Sequence, residues 1–149
     1  MVLEIIKFIE PFLNIPYPSY DWCKAVADMD YEDIDKIKKR FRCPKEWDKI
    51  SIDDLRHFHE MIFFIPNDKE KLYYFPTYMQ YLLENPKELG GVGLDYTFFM
   101  ALKDIDLSIL TKEQQVALIN FLSYIKKNNH KYEYSEELLE EALQNIQAN

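Results

Sequence analysis

Glycine is scarce in this chain: there are three among 149 residues, at Gly90, Gly91 and Gly93. An all-β chain needs glycine at many tight turns, so that class is excluded. Cysteine is nearly absent as well, and Cys23 and Cys43 allow at most one bridge. The opening stretch from Met1 to Glu10 interleaves Leu3, Ile5, Ile6, Phe8 and Ile9 with Glu4, Lys7 and Glu10. An export signal needs a basic start and an unbroken apolar stretch, and this segment has neither, so it reads as a first helix. Both cysteines are therefore expected as free thiols in the reducing cytoplasm. No apolar run approaches the roughly 20 residues that a membrane span requires; Met61 to Ile65 is typical of the longest ones. Basic side chains are the minority, 18 against 26 acidic ones, for a formal charge of −8.

What is present is apolar and aromatic. Apolar residues make up 48% of the chain, which excludes disordered and low-complexity classes. A chain of this size buries about 68–70% of its unfolded surface, enough for a core without disulfides or metal. Residues 1–149 are read as one domain.

Helical spacing accounts for most of it. Ile5, Ile6, Ile9, Phe12 and Leu13 mark a first helix, ended by Pro11, Pro16 and Pro18. Ser19 begins a second helix through Trp22, Val26 and Met29, and Tyr31, Ile34, Ile37 and Phe41 mark a third. Ser51, Asp53 and Asp54 suit the start of a helix carrying Leu55, Phe58, Met61, Ile62 and Ile65. A helix from about Pro76 to Glu84 is expected, with Leu72-Tyr73-Tyr74-Phe75 extended before it. Gly90 to Gly93 reads as a turn, after which Asp95 caps a short helix through Phe98, Phe99 and Leu102. Thr111-Lys112-Glu113-Gln114 matches a capping box, opening a helix with Val116, Ile119, Leu122 and Ile125. Ser135 caps a last helix with Leu138, Leu139, Ala142, Leu143 and Ile146. The expected fold is all-α, a single-domain irregular bundle of six or seven short helices.

Catalytic chemistry finds little to stand on. In His57-Phe58-His59-Glu60 the two imidazoles are two positions apart, so on a helix they point to different sides and do not share a metal ion. His130 is the one other histidine, and neither His-Glu-x-x-His nor paired Cys-x-x-Cys occurs. No Gly-x-Ser-x-Gly elbow surrounds a serine, Cys23 reads as a core filler, and the glycine stretch lacks the Lys-Ser/Thr of a phosphate loop. No catalytic, cofactor-binding or metal-binding residue is nominated, and no cofactor is expected.

Charge is more informative. Acids from Asp28 to Asp35 precede bases from Lys36 to Lys45, a pattern that complements a helix dipole and also gives a basic stretch at 36–45. Nucleic acid is disfavoured there by the negative field of the whole chain. Residues 1–50 carry 9 basic and 10 acidic side chains, residues 51–100 carry 4 and 8, and residues 101–149 carry 5 and 8. The acid excess thus follows residue 50, where Tyr73, Tyr74, Phe75, Tyr78 and Tyr81 also crowd together. Most of these rings are expected in the core and a minority in a recognition patch, since tyrosine suits interfaces through its apolar ring and hydrogen-bonding hydroxyl. The candidate protein interface is Tyr73, Tyr74, Tyr78, Tyr81, Glu84, Glu88 and Asp95.

The segments from Trp47 to Leu83 and from Leu107 to Ile125 resemble a small family of uncharacterised all-helical bacterial proteins. The resemblance is carried by Trp47-Asp48-Lys49-Ile50, Phe63-Phe64, Phe75-Pro76-Thr77-Tyr78, and Leu110-Thr111-Lys112-Glu113-Gln114 with Phe121-Leu122. It implies a helical fold and no particular activity. In size, acidity and lack of catalytic groups the chain is also similar to bacterial immunity proteins, which neutralise a cognate toxin by binding it. The expectation is a non-enzymatic binding module for a basic toxin domain, acting in the cytoplasm and away from membranes. The alternatives are an enzyme whose site is assembled from dispersed histidines and carboxylates, and a nucleic-acid-binding regulator that uses residues 36–45.

Overall fold

Proline, asparagine and threonine punctuate apolar residues spaced three and four apart, and short helices follow from that pattern. A computed structural model describes residues 3–18, 47–51, 53, 55, 61–85 and 93–148. The α-helices among them are α1 (Leu3–Ile9), α2 (Asp68–Lys71), α3 (Phe75–Glu84), α4 (Leu94–Asp104), α5 (Lys112–Lys127), α6 (Asn129–Tyr132) and α7 (Glu136–Gln147). No strand occurs among the described residues, and the fold is an all-α bundle. The expected helices at Ser19 and Tyr31, both cysteines, His57, His59, Gly90, Gly91, Glu88 and the basic stretch 36–45 lie outside the described residues.

Capping chemistry sets the helix boundaries. The Thr111 side chain accepts from the Gln114 amide at 3.1 Å, and the Gln114 side chain accepts from the Thr111 amide at 3.0 Å, so the expected capping box forms. Gln114 also donates to the Pro11 carbonyl at 3.1 Å, tying the start of α5 to the 3-10 turn that follows α1. Ser135 caps α7 by accepting from the Leu138 amide, as expected.

Three stretches differ from expectation, the first being Met61–Phe64, a 3-10 turn where the helix begun at Ser51 was expected to continue. Leu72–Tyr74 is a 3-10 turn rather than extended chain, because α2, capped by Asn67, runs directly into it and on into α3. At α4 the cap position belongs to Gly93, in the left-handed region at φ 75°, where a side chain would be strained. Asp95 sits within the first turn instead, buried at 4% exposure, and accepts from the Ser135 amide at 3.3 Å.

Helix α7 packs against α4 and α5, while α1 packs against α3 and α5. Phe98 of α4 ties these layers together. Its ring stacks on Tyr78 of α3 at 5.4 Å and meets Phe75 and Phe121 edge-on at 5.1 and 5.9 Å. Phe8 of α1 extends the aromatic chain by meeting Phe121 at 6.2 Å. Such offset and edge contacts are the favourable arrangements of aromatic quadrupoles, worth about 0.5–1.5 kcal/mol each beyond burial.

The buried stripe of α5 is Gln114, Ala117, Leu118, Phe121, Leu122 and Ile125. Val116, expected on that stripe, is 43% exposed. The wider stripe around Leu118 and Phe121 carries more apolar area, and it determines which way the helix is turned.

Candidate functional site

Helix α3 was expected to display tyrosines, and it is instead covered on several sides. It packs against α1, α4 and the 3-10 turn Trp47–Lys49, and eight of its ten residues are buried. Tyr74 and Tyr78 are wholly buried and Tyr81 is 7% exposed, so these three are core residues and do not form the surface patch expected of them. Asp95 is withdrawn from the surface in the same way. Tyr73 is half-buried, with its ring 5.0 Å from that of the exposed Tyr17 and 4.9 Å from that of Tyr74. Glu84, at the end of α3, is exposed. Glu88 lies outside the described residues.

The end of α3 is where polar groups converge. A helix leaves its last carbonyls without intrahelical partners. Asn85 satisfies Tyr81 through both its backbone amide, at 3.0 Å, and its side-chain amide, at 2.9 Å. Tyr132 donates its hydroxyl to the Leu83 carbonyl at 2.9 Å. The Tyr134 hydroxyl lies 2.7 Å from the Leu82 carbonyl and 2.5 Å from that of Asn85, its one proton serving both. The two tyrosine rings stack at 5.4 Å, and Asn129 holds Tyr134 in place by bonding its backbone amide and carbonyl, both at 3.0 Å. Burial pushes the Tyr132 hydroxyl up from 10.0 to about 12, with the neighbouring Tyr124 adding to the effect. Burial also pushes up Tyr134, helped by the Asp95 carboxylate. These hydroxyls stay protonated and act as donors. Sequence reasoning missed them; their signal was two tyrosines flanking Glu133, a non-glycine residue at φ 58° in the bend before α7.

Two clefts flank this helix end, and Glu84 borders both. One, of about 140 Å³, lies between α3 and the Trp47–Lys49 turn and is lined by Trp47, Asp48, Tyr81 and Glu84 among others. Its wall is fastened by the Thr77 hydroxyl, which donates to the Trp47 carbonyl at 3.0 Å. The other, of about 260 Å³, is lined by Ile5, Phe8, Leu83, Glu84, Tyr124, Lys131 and Tyr132.

Apart from Asp95, no charged side chain whose burial is described is buried. Helix α7 carries Glu136 and Glu137 exposed, while Glu140 pairs with Lys126 at 2.8 Å and Glu141 with Lys103 at 3.1 Å. The hydrogen bond that Lys103 donates to Glu141, followed by the charge of that carboxylate, holds the Lys103 ammonium above its ordinary range. At Asp106 the bonds from Ser108 hold the carboxyl below its ordinary range. Among the described residues the most open large apolar side chains are Tyr96 at 55% and Phe63 at 45%.

Among the described residues no group of three or more His, Cys, Asp or Glu side chains is placed to hold a metal ion, and no helix is long and apolar enough to cross a membrane. His130 is exposed. No known protein family, curated protein or solved structure matches the chain.

Proposed function

We propose that this chain is a non-enzymatic protein-binding module for a basic protein partner, acting in the cytoplasm. A toxin domain is the class of partner suggested by its likeness in size and acidity to immunity proteins. The observation that carries the reading is the placement of its charge: the described acids, Asp95 aside, remain at the surface, in a chain whose formal charge is −8. A field of that sign steers a basic partner toward encounter and repels nucleic-acid phosphates.

The surface pairs of α7 do not stabilise the fold by much, since exposed ion pairs contribute about 0–1 kcal/mol. Their carboxylates are therefore free to serve another role at small cost to folding. Capture from the native host, together with co-expression of the product of the adjacent reading frame, tests the proposal with growth as the readout. The module should bind a basic protein and restore growth when that protein is the toxic neighbour. A neighbour that is not toxic, or one that is toxic but neither bound nor neutralised, overturns the immunity role.

A further inference from the structure

We propose that the cleft between α3 and the Trp47–Lys49 turn is a socket for one arginine side chain of the partner, a proposal that rests on the protein-binding reading for the source of that side chain. The cleft holds about 140 Å³. Pockets for cofactors and drug-sized ligands run to roughly 300–1,000 Å³, so this one suits a single long side chain. Its chemistry selects the kind of side chain. Asp48 and Glu84 place two carboxylates on it, Trp47 and Tyr81 supply aromatic surface, and its described lining includes no Lys, Arg or His.

A guanidinium matches that combination. It is planar, stacks on an indole face, and donates a fork of N–H groups to carboxylates. The walls are set before any ligand arrives. Thr77, itself buried, holds the Trp47 backbone against α3, and Gln80 steadies Glu84 with a bond of 3.4 Å to its Oε1 atom. Arginine anchors seated in preformed pockets are among the residues that dominate protein interfaces.

The test is the indole N–H signal of Trp47 in the full chain, with the signal of Trp22 as internal reference, assigned with Trp22→Phe. The probe is arginine blocked at both termini, titrated at constant ionic strength. Citrulline blocked in the same way keeps the shape and removes the charge. Blocked arginine should shift the Trp47 signal to saturation, and citrulline should bind about tenfold more weakly or less still. The variant carrying Asp48→Asn and Glu84→Gln should lose the response while keeping its unfolding temperature, since both side chains are exposed.

Equal responses to arginine and citrulline, or an unchanged response in the double variant, overturn the socket. Tighter binding of spermidine than of blocked arginine overturns a partner side chain as the source, in favour of a free polyamine. If a captured basic protein binds the double variant as well as the wild type, the socket fails while the binding function stands. If blocked arginine saturates the cleft and no basic protein is bound, the socket's chemistry stands and the proposed function fails.

Discussion

The hydroxyl of Tyr134 donates to the carbonyl oxygen of Leu82 at 2.7 Å, fastening the connection before α7 to the last turn of α3 across 52 residues of sequence. Removing that hydroxyl leaves the Leu82 and Asn85 carbonyls without it. Tyr134→Phe is predicted to lower stability by about 1–3 kcal/mol, the cost of a lost bond at a buried polar group. Urea unfolding checks it. A change below about 0.5 kcal/mol would place the carbonyls in contact with water instead.

The same two tyrosines predict an alkaline limit. A tyrosine whose folded value is raised keeps its proton after the unfolded chain has lost it. Its contribution is complete below pH 10, and it declines as pH rises toward the value of about 12 held by Tyr132. The urea midpoint should therefore fall between about pH 10 and about pH 12. Replacing Tyr132 and Tyr134 by Phe should flatten that decline. An equal slope in the doubly substituted chain would contradict the assignment.

At the start of α5, Thr111→Ala removes one cap bond and should cost about 1 kcal/mol. Gln114→Ala removes the reciprocal bond and the one to Pro11, and so should cost more. Thermal unfolding ranks the two variants, and the reverse order would show that the tie to Pro11 contributes nothing.

The orientation of α5 gives a sharper contrast. Leu118 is wholly buried and Val116 is 43% exposed. Leu118→Ala should cost about 2–5 kcal/mol, whereas Val116→Lys should stay within about 0.5 kcal/mol. Comparable losses at both positions would mean that the helix is turned differently.

Much of this fold was legible from local chemistry. The Thr111 and Ser135 caps and the helix beginning near Pro76 depend on residues close in sequence, and the structure agrees with them. Side-chain direction was not legible in the same way. Whether Tyr78 faces solvent or core depends on Phe98 arriving from α4, and Asp95 is diverted from its cap by Ser135 from 40 residues away. That most of the aromatic cluster packs inside agrees with expectation, but which rings stay outside was not legible, and Tyr74, Tyr78 and Tyr81, expected at the surface, are core. Nothing local to Trp47 in sequence reveals that Thr77 holds its backbone against α3, on the same cleft as Glu84.

If surface acidity draws in a basic partner, the association rate with the captured protein must depend on salt. Measured from low to high ionic strength, the rate should fall by about tenfold or more, and faster than the dissociation rate changes. Neutralising Glu136 and Glu137, both exposed on α7, should reduce the rate at low salt and flatten its salt dependence. An association rate indifferent to salt, in the wild type as in the neutralised variant, would contradict electrostatic steering by these acids.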